Sequence, residues 1–216
     1  KFGFALDTSA LEGSFFRIQL ENDPDAEEEN PVSPEFFDHY HATASERDQV
    51  TYTFWQRNTD ELRDQVAFWT VSEESGGSQR GAQAHTPWSN DNIYFDTAGC
   101  CDPVQRLTDV SGVDDWMAWN HFAFVKDGEH KEIWVNGELL LDGDGYDPLP
   151  SDMIAHYIGN GVEENRDQPG LIDEFAIIAG AASEEQIKEL ASGSEIPSIF
   201  DNSNPGINLN AGKSLN

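Results

Sequence analysis

Two dipeptides, Asp127-Gly128 and Asn136-Gly137, constrain the fold of this chain more than any other feature. Each lies between short runs of β-type residues: His121 to Val125 before the first, Lys131 to Val135 between them, and Glu138 to Leu141 after the second. Asp-Gly and Asn-Gly reach the positive φ values of the tight turns whose twist matches that of the flanking strands, so the stretch reads as an antiparallel meander. Such a meander needs further strands to bury its apolar face. The chain supplies them in Val50 to Trp55, Gln65 to Val71, Asn92 to Asp96, Met153 to Ile158 and Leu171 to Ile178, and a first strand is expected at Phe2 to Leu6. One segment reads as a helix. Ser183 stands as N-cap with Gln186 three residues on, Glu184 and Glu185 suit the positive end of the dipole, Ile187 and Leu190 share a face, and Gly193 ends it. Eight or more strands with one short helix make an all-β sandwich rather than a βαβ fold.

The remaining segments read as connections. Glu21 to Pro34, with its acidic run and prolines, is expected to be an exposed loop, and Ser72 to Gly81 a hairpin tip. Periodicity is lost after Ser192, so the domain is placed at residues 1–193 and residues 194–216 are read as a linker or terminal arm. No internal repeat is evident.

Composition narrows the partners. The 216 residues hold 12 Lys plus Arg against 41 Asp plus Glu, a formal charge of −29. The 6 Trp, 13 Phe and 5 Tyr exclude disorder for most of the chain. Nucleic acid and anionic membranes would be repelled over the surface as a whole, which leaves neutral ligands and cations. The same excess suits a salty medium or a calcium-rich cell exterior. No run of about 18 apolar residues exists to span a membrane. The first residues carry no secretory leader, which reads as a mature form or an excised domain.

Several residues are candidates for chemistry. Sugars bind on aromatic plates flanked by planar polar groups, and the span His85 to Arg106 holds Trp88, Asn90, Asn92, Tyr94 and Arg106. Trp88 follows Pro87 and either stands exposed or packs under its own turn; Tyr94 alternates with Ile93 and Phe95 and competes as core. Trp55, Trp69, Trp119 and Trp134 lie in strand patterns and read as core. Cys100 and Cys101 are either two free thiols or a vicinal disulfide, and an oxidising exterior favours the disulfide as a rigid knuckle beside Trp88 and Arg106. Calcium is the bound ion that the abundant hard oxygen donors favour. Asp142, Asp144 and Asp147 echo the start of a calcium loop without its closing Glu, so a solvated hairpin loop competes. His39 and His41 would share one face of a strand and form a weak metal pair.

Four stretches, in order, resemble the concanavalin A-like lectin/glucanase superfamily, in particular its laminin G-like members in bacterial secreted and surface proteins. They are Val50 to Trp55, the Pro87-Trp88 turn leading into Asn92 to Asp96, the hairpin from Trp119 through Asp127-Gly128 to Trp134-Val135-Asn136-Gly137-Glu138, and Gly170 to Phe175 followed by Ser183 to Ile187. The resemblance covers roughly residues 1–193. It implies a two-sheet antiparallel jelly-roll sandwich with one short C-terminal helix, and a structural calcium at Asp7 and Asp173; the bland alternative has Asp173 bonding backbone in a sheet corner. The Glu-x-Asp-x-x-Glu strand of the laminarinase-like hydrolases is absent. Adjacent Asp173 and Glu174 on a strand point to opposite faces, so no glycosidase pair is expected there. The expected function is a non-catalytic, lectin-like carbohydrate-binding module of a secreted or cell-surface protein, taking a glycan or polysaccharide. The alternative is a structural or adhesive domain that binds protein or self-assembles through its C-terminal arm.

Overall fold

The meander forms as three strands, β8 (Asn120–Asp127), β9 (His130–Val135) and β10 (Glu138–Gly143), numbered among the twelve strands of the described residues. Its second turn centres on Asn136 and Gly137, both at positive φ. The first centres on Gly128 and Glu129, because Asp127 still pairs with His130; the turn takes its glycine in the first central position. The computed structural model describes residues 6–7, 16–19, 34–162, 166 and 168–194.

Two six-stranded antiparallel sheets face each other. The first runs in the order β1 (Leu6–Asp7), β12 (Gly170–Ile178), β3 (Gln49–Asn58), β8, β9, β10. The second runs β2 (Phe16–Gln19), β11 (Met153–Ile158), β4 (Phe68–Ser72), β5 (Arg80–His85), β6 (Asn92–Thr97), β7 (Arg106–Val110). The inner faces bury Phe54, Phe122 and Phe124 from one sheet against Phe68 and Phe95 from the other. Tyr52 of β3 stacks across the layer on Phe68, centroids 4.2 Å apart. The expected two-sheet all-β sandwich is therefore the fold.

The C-terminal helix, Glu184–Ala191, carries the capping box in full: the Ser183 hydroxyl accepts from the Gln186 amide and the Gln186 side chain accepts from the Ser183 amide. Its Ile187 and Leu190 are buried against the sandwich, and Gly193 follows at φ 89°.

Four departures from the sequence reading matter. A second helix, Pro34–Tyr40, runs into a π turn over His41–Ser45. It buries Phe36, Phe37 and Tyr40, and it places His39 and His41 on a helix, where residues two apart face away from each other, so the expected strand-face pair does not exist. Strands β2, β5 and β7 add to the nine anticipated. The expected hairpin tip shrinks only to residues 73–79, with a turn at Gly76–Gln79 and β5 starting at Arg80. Trp119 is half-buried beside the Arg57 guanidinium, whereas Trp55, Trp69 and Trp134 are core. The expected loop up to residue 33, the start of the first strand and the arm beyond residue 194 lie outside the described residues.

Candidate ligand-binding site

The second sheet has a face turned away from the core, and strand alternation decides which side chains it shows. On β5, β6 and β7 the residues Ala82, Ala84, Ile93, Phe95 and Leu107 point inward and are buried in the core. Their neighbours point outward and meet across the ladder: His85 opposite Tyr94, Gln83 opposite Asp96, and Asp96 opposite Arg106. Plain alternation would send Arg80 inward with Ala82. The pairing of β4 with β5 shifts by one residue, with Thr70 opposite Ala82 and Val71 opposite Arg80, so Gly81 is the extra residue of a β-bulge. The bulge turns Arg80 outward, where its Nε donates to Gln83 Oε1 and its guanidinium lies 4.5 Å from the centre of the Trp69 ring. A Cβ on Gly81 would overlap the Met153 sulfur, which is why glycine occupies the bulge.

Trp88 is held over this face by a buried polar network. The Thr86 carbonyl accepts from the side-chain amides of Gln56 and Gln65, and the Thr86 hydroxyl donates to Gln56 Oε1. Asn58 Oδ1 ties Gln56 to Gln168 at 2.9 and 2.8 Å. The turn beyond it closes with the Trp88 amide donating to the Asn92 carbonyl (2.8 Å) and the Asp91 amide to the Trp88 carbonyl (2.9 Å). The half-buried Trp88 ring meets His85 nearly edge-on at 4.4 Å and lies at 75° to Tyr94 with centroids 6.3 Å apart.

The loop between β6 and β7 closes the other side. Cys100 and Cys101 are joined to each other by a disulfide. Gly77, at φ 62°, lets the preceding turn approach so closely that a Cβ there would lie 2.6 Å from that of Cys100. The result is a pocket of about 360 Å³ walled by the vicinal disulfide, Trp88, Tyr94 and His85, together with Arg80, Arg106 and Arg166.

Its electrostatics follow from these contacts. Arg106 grips the fully buried Asp96 through Nε (2.7 Å) and Nη2 (2.6 Å), lies 4.6 Å from the centre of the Tyr94 ring, and sets Nη2 3.4 Å from Cys100 Sγ. That hydrogen-bonded pairing holds its pKa above the ordinary arginine value. The Arg166 guanidinium lies 4.9 Å from the centre of the Trp88 ring. His85 is pushed down to about 3, by burial first and by the charges of Arg80, Arg106 and Arg166 besides, against a smaller upward pull from the Gln65 carbonyl. It is neutral at physiological pH. Because a carbonyl only accepts, Nδ1 carries the proton in the 2.7 Å bond to Gln65, and Nε2 is left as an acceptor.

Of the sequence candidates, Trp88, Tyr94 and Arg106 are brought together in this pocket. Asn90 stands behind it, donating to the Tyr94 hydroxyl at 2.9 Å, and Asn92 serves the turn through its backbone; neither lines the cavity. Arg80, His85 and Arg166 join the site without having been singled out. The alternation of Asn92, Tyr94 and Asp96 hinted at an outward face, but the bulge at Gly81 and the approach of residue 166 have no local signature.

The calcium candidates fall in two places. Asp7 and Asp173 lie on paired strands, with Asp7 opposite Leu171, and Asp173 Oδ1 accepts from the Glu174 amide at 2.8 Å. Their hard oxygens suit calcium by chemistry, but a site there would need backbone carbonyls to complete six to eight ligands. Asp144 bonds His130 at 2.9 Å, and among the described residues neither it with Asp142 and Asp147, nor any other three carboxylate, imidazole or thiol side chains, gathers as a metal site.

A family model described as the concanavalin A-like lectin/glucanases superfamily, of laminin G type, matches residues 37–188. No curated protein sequence matches the chain. Among solved structures, domain 4 of a GH43 extracellular arabinanase from Geobacillus stearothermophilus, in complex with arabinotriose, aligns at 17% identity and TM-score 0.53 over 67% of this chain and 66% of that one. A native heptameric SAP-like pentraxin from Limulus polyphemus aligns at 14% identity and TM-score 0.54, over 74% and 79%. The binding domain of botulinum neurotoxin DC, in complex with rat synaptotagmin II, aligns at 13% identity and TM-score 0.52, over 70% of this chain and 37% of that one.

Proposed function

The chain belongs to the laminin G-like family of the concanavalin A-like lectin/glucanase superfamily, and from that premise we propose that it is a non-catalytic carbohydrate-binding module whose glycan enters the pocket beneath Trp88. The observation that carries the reading is the wall itself: two aromatic rings set nearly perpendicular and a vicinal disulfide offer apolar surface to the C–H faces of a sugar ring, while arginine and histidine side chains supply polar groups for its hydroxyls. The complex of the related arabinanase domain with arabinotriose supports a saccharide on this fold. That of the neurotoxin domain with synaptotagmin supports protein ligands on it too, but a concave pocket suits a saccharide unit better than a flat protein surface.

A binding role fits the lining better than a hydrolytic one. Glycoside hydrolysis uses two carboxylates flanking the scissile bond. Among the described residues no carboxylate lines this pocket, and Asp96 beneath it gives both oxygens to Arg106. A secreted or cell-surface setting agrees with the vicinal disulfide, which persists in oxidising compartments, and with the extracellular origin of the arabinanase domain. Calcium, if bound at Asp7 and Asp173, would serve the fold rather than the ligand.

The test is a glycan array probed with calcium and again with chelator, followed by titration of the best ligand into Trp88→Ala. Binding to a defined glycan is expected in both arms. The variant should bind about tenfold or more weakly, the loss of roughly one stacking contact, with little change in Tm. Silence on the array in both arms, or full affinity in the variant, overturns the reading; silence together with a dimer or larger species in solution favours assembly instead.

A further inference from the structure

A sugar hydroxyl brings a proton as well as an oxygen, and a pocket that reads the proton must hold an acceptor for it. Most polar side chains along this wall do not offer one. The guanidiniums and the Trp88 indole only donate. The Tyr94 hydroxyl oxygen already accepts from Asn90 Nδ2 at 2.9 Å, and the disulfide sulfurs are weak acceptors, with Arg106 Nη2 set 3.4 Å from Cys100 Sγ. His85 is the exception. Its Nδ1 proton goes to the Gln65 carbonyl at 2.7 Å, so the neutral ring carries a bare lone pair on Nε2. Burial is the foremost cause that keeps the ring neutral, with its pKa pushed down to about 3. Trp88 and Tyr94 meet the imidazole nearly edge-on, at 4.4 Å and 74° and at 5.8 Å and 89°, and clamp its plane. His156 makes the contrast. Its imidazole is neutral too, but its Nε2 is sealed in the core with no hydrogen-bond partner among the described residues. His85 Nε2 likewise has no partner among them, yet it is not sealed, because the His85 ring forms part of the pocket wall.

Building on the carbohydrate reading, we propose that His85 is the specificity-determining residue of this pocket: its Nε2 accepts a hydrogen bond from one free hydroxyl of the saccharide unit beneath Trp88. The recognised oxygen must then carry a proton and no substituent, so it is not an oxygen through which the glycan is linked or etherified. A sugar without that hydroxyl would strand an acceptor on a side chain that is only 2% exposed, and leaving such a group unpaired costs more than one hydrogen bond is worth on balance. A His85 that merely braced Gln65 and Trp88 would instead affect all sugars alike.

Isothermal titration of arabinotriose, galactotriose, cellotriose and mannotriose, followed by the monodeoxy and monofluorodeoxy derivatives of the tightest binder, tests this. One position is expected to lose about tenfold or more in both series, because fluorine takes the place of the hydroxyl without bringing a proton. His85→Asn keeps an amide donor for the Gln65 carbonyl but ends short of Nε2, so in it the deoxy penalty should shrink to within about threefold. His85→Gln, whose amide oxygen reaches the Nε2 position, should restore part of the penalty. In the wild type the penalty should hold constant from pH 8 to pH 5, since the imidazole takes up no proton there. The fluorine and pH readings need no variant and stand whether or not His85→Asn folds. A trisaccharide that binds with no sensitive hydroxyl, or with a penalty unchanged in His85→Asn, overturns the role of His85 and leaves the carbohydrate reading. So does a fluorinated sugar that binds like its parent at the sensitive position, or a penalty that falls between pH 7 and pH 6. Binding of none of the four trisaccharides overturns this proposal and the carbohydrate reading together.

Discussion

His85 and His156 show how placement alone sets the chemistry of a residue. His156 is enclosed by Phe68, Tyr52 and Phe175, and burial pushes it down to about 3, as it does His85. At His130 burial, the largest single effect, pulls downward, but the bonds to Asp144 and Glu132 and the charges of both together outweigh it and the value rises. Both buried imidazoles stay neutral in the native state while their unfolded counterparts take up protons near 6.5, so they leave stability intact above that pH and remove it as pH falls toward 3. The NMR signals of His85 and His156 should hold still between pH 8 and 5, while that of His130 titrates above 6.5. The loss of stability between pH 6.5 and 4 should be smaller in His156→Gln by on the order of 3 kcal/mol. Equal losses in variant and wild type would show that His156 protonates freely in the fold. None of this was legible in the sequence, where His85 and His156 sit in strand patterns without a charge or spacing to mark them. Trp88, Tyr94 and Arg106 were legible because their types suit sugar contact and they fall within one short span.

At the scale of the element, what could be read followed the apolar load of each strand. The meander, β3, β11 and β12 carry enough large apolar residues to announce themselves. Strand β5 does not: its core-facing residues are Ala82 and Ala84, small enough to look like loop beside Arg80 and Gly81. Strand β7 has Leu107 as its one core residue, and the helix Pro34–Tyr40 followed an acidic, proline-containing run that hid its Phe36, Phe37, Tyr40 face. Two of the missed elements, β5 and β7, supply pocket walls, and a face meant for a ligand holds polar and small residues. The turn that seats the disulfide offers a matched test. Gly77 is at positive φ with Cys100 against it, whereas nothing lies within 4 Å of a Cβ at Gly76. Gly77→Ala should therefore lower stability by about 1–2 kcal/mol in chemical denaturation and weaken glycan binding. Gly76→Ala should stay within about 0.5 kcal/mol of wild type. Similar effects in both would remove the close approach at Cys100 as the cause.

For the whole molecule, −29 is a strain on the folded state that solvent must relieve. Tm should rise as sodium chloride increases from about 10 mM to about 150 mM, over which the Debye length falls from about 30 to about 8 Å. A structural calcium would add something salt cannot. At constant ionic strength, EDTA should lower Tm and calcium should restore it. A Tm that follows ionic strength alone would remove the ion from Asp7 and Asp173. Composition described the average surface and not the pocket: a net charge says nothing of where the few cations stand.

The bulge at Gly81 gives the second sheet a property that no substitution reveals. Direction along a strand is counted in residues, so this one insertion acts as a phase shift, and Arg80 belongs to the ligand face through chain length rather than through residue type. If the bulge were ironed out with Gly81 kept, Gly81 would take the place opposite Val71 and Arg80 would return to the inward phase, with charge and composition unchanged. Within such a fold, the side chains on the ligand face can thus change with where a strand places its bulge, a difference that counting matched side chains would not register.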